Sequence, residues 1–153
     1  MKYILLIAIV AYCLTYMPHT KASSLSPSTP LRTYADQQAS SHGLSVYLFE
    51  RQINQESSWQ TDVVSTSGAI GIAQFMPSTA YALGVNPYNP YQSLAGMASL
   101  MSQYVSRYGS FDKALAAYNC GEGCLQSADI RCGWNWKGCI PSETRSYIGI
   151  IDR

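Results

Sequence analysis

Between positions 43 and 59 the apolar residues Val46, Phe49 and Ile53 recur at steps of three and four, the spacing of one face of an α-helix. The next position on that stripe is Glu56. A carboxylate on the buried side of a helix is uncommon, because taking its charge out of water is costly unless a partner compensates. Residues 65–74 are small and glycine-rich, too irregular for a long element, and Gly68 and Gly71 permit positive φ or close backbone approach. Pro77 opens a helix that Gly84 ends. Asn89 is the expected N-cap, and Pro90 the first residue, of a longer helix whose stripe of Leu94, Met97, Met101, Tyr104, Val105 and Tyr108 belongs to the core. Gly109 stops that helix, Ser110 caps another over 111–119, and a last helix runs over 142–151 behind Pro141. Two stretches lack a period. Residues 23–42, rich in Ser and Pro, read as a linker or loosely packed arm, with ordered structure expected from Gly43. Residues 120–139 read as a stapled loop. With no strand-type alternation of useful length and no internal repeat, the expected fold class is mainly α.

The N-terminus changes the picture. Lys2 precedes an apolar run over 3–14 and a polar stretch ending Thr20-Lys21-Ala22. A basic start, an apolar segment of about a dozen residues and small residues at −3 and −1 make a secretory signal peptide over 1–22, cleaved after Ala22. A membrane span wants roughly 20 apolar residues, and Thr15 and Pro18-His19 interrupt this run. A lipid anchor at Cys13 is disfavoured by Tyr12, which stands where a small residue is needed. The expected location is therefore exported, periplasmic or otherwise extracytoplasmic, without a stable membrane anchor after cleavage.

Of the 153 residues, enough for one ordinary domain, only 12% are charged. Removing Lys2 and Lys21 takes the net charge from +1 to −1, which leaves no electrostatic footprint for nucleic acid. Cys120, Cys124, Cys132 and Cys139 remain, and an even number in an exported chain reads as two disulfides with the pairing open. Zinc is the weaker reading, since the spacing fits no standard pattern and no histidine lies nearby. The glycine-rich stretch is no phosphate cradle, because it lacks the lysine and the strand–helix unit of one.

Four blocks then occur in order: Glu56-Ser57-Ser58-Trp59 with Ser65; GAIGIAQFMPSTA over 68–80; Ala116-Ala117-Tyr118-Asn119 before Gly121; and Ile140-Pro141-Ser142-Glu143-Thr144-Arg145 with Tyr147. Together they resemble the catalytic domain of the soluble-type lytic murein transglycosylases, over about residues 44–150. The resemblance implies a lysozyme-like fold related to goose-type lysozyme, with no cofactor and no metal. It implies cleavage of the β-1,4 bond between N-acetylmuramic acid and N-acetylglucosamine in peptidoglycan glycan strands, without water, leaving a 1,6-anhydro ring. One glutamate, Glu56, serves as acid and then base. Burial on an apolar helix face raises a carboxyl's pKa in the direction that such acid work needs.

Hydrolytic glycosidases of this kind use two carboxylates. Asp62, Asp112 and Asp129 sit in contexts that read as exposed, which favours the intramolecular route and leaves a hydrolase of the same fold as the alternative. A glycan-binding assembly protein with dispensable catalysis is a third reading, disfavoured because binding alone requires no acid. By the same resemblance Ser65, Gln74, Met76, Tyr118, Asn119 and Glu143 bind substrate, with Gln74 donating hydrogen bonds and Met76 packing on a sugar face. Glu143 opens a helix, whose dipole favours negative charge, and ranks below Glu56 as an acid. Arg145 and Tyr147 are expected to support packing. Cys120 and the insertion carrying Cys124, Cys132, Cys139, Trp134 and Trp136 depart from the family pattern; the tryptophans are expected to fill the small core under that loop, with stacking on sugars as the alternative. One-domain exported versions of the family accompany secretion, conjugation or pilus machines and some phages, so components of such an apparatus are candidate partners.

Overall fold

The structure, a computed structural model, describes residues 29–153; the expected signal peptide over 1–22 lies outside the described residues. Helices α1 (Pro30–Ser41), α2 (Val46–Ser57), α3 (Pro77–Leu83), α4 (Pro90–Tyr108), α5 (Phe111–Cys120), α6 (Glu122–Cys132) and α7 (Ser142–Ile151) are joined by loops and by a 3-10 helix (Gly133–Gly138). Among the described residues, extended pairing is confined to the isolated bridges Val64–Ile70 and Ile70–Phe75. No helix there is long and apolar enough to cross a membrane.

The capping residues act as their chemistry dictates. Asn89 Oδ1 accepts from the N–H groups of Tyr91 (3.0 Å) and Gln92 (3.1 Å), and Ser110 Oγ accepts from Lys113 N–H (3.1 Å). The core forms where α4 packs on α5: Leu94, Met97 and Met101 meet Ala114, Leu115 and Ala116, all fully buried. Helix α2 adds Phe49 and Ile53 to the same core, and packs on α7 through the side that also bears Glu56.

Two stretches expected to be irregular are helical. Residues 30–41 form α1, which packs on α2 and α4, rather than a loose arm. Thr29 caps it and Pro30 takes its first position, while its contribution to the core is small: Ala35 and Ala39, four apart and fully buried. A face built of alanine leaves little hydrophobic period to read. The Arg32 guanidinium lies 4.0 Å from the ring centre of Trp59 and pairs with Glu50 at 3.2 Å, which fixes α1 against α2.

The segment 120–139 is likewise α6 and the 3-10 helix. Its cysteines pair in sequence order, Cys120–Cys124 and Cys132–Cys139, with Cα separations of 5.8 and 6.3 Å. Lys113 Nζ reaches both oxygens of Asp129 at 2.8 and 2.9 Å, tying α5 to α6, and Lys137 pairs with Asp112. Arg145 donates to Ile140 O at 2.7 Å, a packing role as expected. Trp136 is buried, whereas Trp134 is 94% exposed and fills no core. Asn135, between the two rings, leaves helical geometry (φ −92°, ψ 29°), and only Trp136 is turned inward.

Candidate active site

Ser45 caps α2, and the helix carries Phe49 and Ile53 into the core before delivering Glu56 in its last turn. Ser58 and Trp59 follow with φ of +51° and +66°, so the chain turns away directly after the carboxyl. From α7, the buried Tyr147 donates its hydroxyl to Glu56 Oε1. Burial pushes the Glu56 carboxyl up from the usual 4.5 to about 7, and the Tyr147 hydrogen bond holds it below where burial alone would leave it. Burial, with the neighbouring Glu56 charge second, holds the Tyr147 hydroxyl well above its ordinary range, so it remains a phenol and a donor.

A cavity of about 270 Å³ opens on this pair, lined also by Gln55, Asn119, Glu143, Ser146 and Ile150. A second, of about 130 Å³, is lined by Gln74, Phe75, Met76, Tyr104 and Tyr118 among others. Tyr118 and Asn119 are consecutive at the end of α5 and face different cavities, so that helix end divides the cleft. The Tyr118 hydroxyl donates to Ala73 O at 2.6 Å, anchoring α5 to the glycine-rich loop, and its ring centre lies 6.0 Å from that of Phe75. Burial first and the Glu56 charge second raise its pKa well above the ordinary phenol value.

The structure thus brings Glu56, Asn119 and Glu143 together in one cavity, and Gln74, Met76 and Tyr118 in the other. Ser65 lines neither. Its Oγ accepts from Ala69 N–H at 3.0 Å and its own N–H donates to Ala69 O, so it closes its loop as a turn cap. Gln74 differs from expectation in polarity. Its amide NH₂ donates to Gly71 O at 2.8 Å and to Val63 O, which leaves the side-chain oxygen, an acceptor, for the cavity. Its φ of +48° aims the residue in this way. Met76 is 42% exposed at the rim, where a thioether can lie on a sugar face.

Tyr147, expected to serve packing alone, belongs to the site. The signal for it was available. A tyrosine on the buried stripe of Thr144, Ile148 and Ile151 needs a partner for its hydroxyl.

A family model described as the transglycosylase SLT domain matches residues 33–134. The chain belongs to the transglycosylase SLT domain family. The match begins inside α1, which makes that helix part of the domain, and ends before α7, so Glu143 and Tyr147 stand on the geometry. This SLT domain is 38% identical over 100 residues to the transglycosylase of Enterobacteria phage PRD1, covering 65% of the chain and 33% of the relative. It is 39% identical over 82 residues to membrane-bound lytic murein transglycosylase F of Pseudomonas fluorescens, covering 48% of the chain and 17% of that protein. Among solved structures, an inactive mutant of the lytic transglycosylase Slt of Pseudomonas aeruginosa superposes with a TM-score of 0.66 at 26% identity, over 78% of this chain and 22% of the other. The 70 kDa soluble lytic transglycosylase of Escherichia coli superposes with a TM-score of 0.70 at 23% identity, a likeness of fold, over 78% of this chain and 22% of that one. The SLT domain spans a third or less of the length of each of these proteins.

Proposed function

We propose that this SLT domain is a lytic transglycosylase that cleaves the β-1,4 bond between N-acetylmuramic acid and N-acetylglucosamine in peptidoglycan. The observation that carries the reading is Glu56: a carboxyl raised to about 7 by burial, on the wall of an open cavity and hydrogen-bonded by a buried phenol. Near neutral pH such a group is protonated often enough to give its proton to a leaving oxygen, and basic enough afterwards to take one back. In the first step the Glu56 proton passes to the glycosidic oxygen as the bond to C1 of the muramic residue breaks. Tyr147 then donates to the carboxylate just formed. In the second, Glu56 takes the proton of the C6 hydroxyl as that oxygen bonds to C1, closing the 1,6-anhydro ring. The two steps return Glu56 to its starting state, and no water is consumed.

Asn119, Met76, Tyr118 and the oxygen of Gln74 would line the glycan on either side of the cut. The reading draws support from the named relatives, which are a phage transglycosylase and lytic murein transglycosylases. A substrate outside the cytoplasm agrees with an exported chain carrying two disulfides. Service to a secretion, conjugation or pilus machine, or to a phage, is the corresponding proposal for its setting.

A second reading, hydrolysis by the same fold, is favoured by one observation: Glu143 shares the cavity with Glu56 and is a second carboxylate that could activate water. Mass analysis of muropeptides released from purified sacculi decides. Anhydro products, one water lighter than the hydrolytic ones, are expected. Reducing-end muramic products alone would establish the hydrolase.

A further inference from the structure

One buried polar side chain takes no part in the steps above. Gln52 is fully buried on α2, one turn before Glu56, and neither atom of its amide has a hydrogen-bond partner of normal geometry. The buried serines find partners: Ser57 Oγ donates to Ile53 O at 3.3 Å and Ser93 Oγ to Pro87 O at 3.2 Å. Leaving an amide unpaired in a core forfeits its hydrogen bonds to water without replacement. A leucine or methionine there would avoid that loss, so the stability of α2 gives no reason for glutamine.

The neighbour that gives a reason is Tyr147. It is buried to 5% exposure, and its one hydroxyl proton is committed to Glu56. A phenol has one donor and two acceptor lone pairs, so with its proton on Glu56 its oxygen can only accept. Gln52 stands one turn before Glu56 on the helix that packs against α7, which brings its buried amide to the side of the Glu56–Tyr147 pair. Its presence there favours the phenolate form of Tyr147. We propose that Gln52 is a positioning residue whose amide N–H approaches Tyr147 Oη and keeps the phenol proton directed at Glu56.

The arrangement is a chain of amide, phenol and carboxyl running across the α2–α7 contact. Its use follows from the two steps assigned to Glu56, on which this inference rests. While Glu56 is protonated it has less need of a donor, and an unrestrained phenol would turn its proton elsewhere. With Gln52 occupying the acceptor side of Tyr147, the donor is already in place when Glu56 becomes the carboxylate, and no reorganisation is needed at that moment.

The test is Gln52→Met, which keeps the volume and removes the amide, with Glu56 titrated directly by carbon-13 NMR of its side-chain carboxyl. The midpoint should rise by about half a pH unit, in the same direction as in Tyr147→Phe and by less. In the Tyr147→Phe background, Gln52→Met should add nothing. On sacculi, kcat should fall about fivefold with KM unchanged, as the loss of one ordinary hydrogen bond predicts. The alkaline limb of the rate should move with the NMR midpoint. Equal midpoints in wild type and Gln52→Met, or an undiminished shift in the Tyr147→Phe background, would overturn the proposal. Should Gln52→Met fail to fold, Gln52→Leu is read by the same titration. Because the midpoint is measured without substrate, a wild-type protein inactive on sacculi would refute the glycan-cutting reading and leave this one still decided by the titration.

Discussion

At the floor of the cleft, α2 and α7 hold a carboxyl, a phenol and an amide largely away from water, with a single hydrogen bond among the three, from Tyr147 to Glu56. In the segment from Cys120 to Cys139 the polar groups are matched instead. Asp129 meets Lys113, Asp112 meets Lys137, Arg131 donates to Cys139 O at 3.0 Å, and two disulfides close the ends. The segment follows directly on Asn119, which lines the cavity of Glu56. The difference shows where this domain tolerates instability. The carboxyl to which the proposed function gives the proton transfers is kept poorly solvated, and the segment that follows Asn119 is fastened by ion pairs and disulfides.

Glu56→Gln separates the two regions most sharply. Turnover on sacculi should fall by about 10³-fold or more, the range for loss of a positioned general acid. The same variant should be more stable than wild type at pH 8. Below about 4.5 Glu56 is protonated whether the chain is folded or not, and burial of its carboxyl has no ionic cost. Between 4.5 and about 7 the unfolded chain gives up a proton that the folded one keeps, so wild-type stability declines with rising pH and is flat above. Glutamine removes that decline, a gain of about 3 kcal/mol at pH 8 measurable by urea unfolding. An unchanged stability at pH 8 would mean that the carboxyl is better solvated than its surroundings indicate.

The converse change, Cys132→Ser with Cys139→Ser, should lower stability by about 2 kcal/mol, as expected for a short closed loop. It should leave the midpoint of the pH–rate curve where it is. A displaced midpoint would show that the fastening sets the electrostatics of the floor as well as the shape of the wall. Tyr147→Phe acts at the floor alone. It removes the bond that opposes burial, so the alkaline limb of activity, which in wild type falls as pH rises through about 7, should move upward. Its rate should drop about tenfold, in keeping with one hydrogen bond to a charged group. The smallest effect belongs to Lys113→Met. The pair with Asp129 is partly exposed, and its loss should change stability by no more than about 1 kcal/mol without touching activity.

The parts of this domain that sequence exposes are those whose cause is local. Asn89-Pro90 and Ser110 carry their capping chemistry in themselves, and the step from Ile53 to Glu56 is a matter of helical spacing. Helix α1 escaped because its buried face is two alanines, and α6 because it is anchored by disulfides and the Lys113–Asp129 pair more than by an apolar stripe. The exposure of Trp134 beside the burial of Trp136 depends on how the 3-10 turn lies on α5 and α6, which no spacing encodes. At the site, Glu56 stood out, whereas Tyr147 and Gln52 acquire a role only when α7 is laid against α2, with Tyr147 91 positions beyond Glu56. Ser65 and Gln74 were legible as members of their blocks, but the direction of their hydrogen bonds was not. The Ser65 hydroxyl and the Gln74 NH₂ are engaged by the backbone of their own loop.

That loop is held by a contact without side chains. At Gly71, whose φ is +70°, a β-carbon would stand 2.3 Å from the carbonyl oxygen of Pro87, so the loop and the turn before α4 touch backbone to backbone. No exchange of side chain at position 87 could make room for one at 71, since the obstructing atom belongs to every amino acid. In evolutionary terms the contact acts as a ratchet. With the course of the loop fixed there, variation in what the cleft accepts is left to the side chains at 74 and 76, which can change one at a time while the path beneath them stays the same.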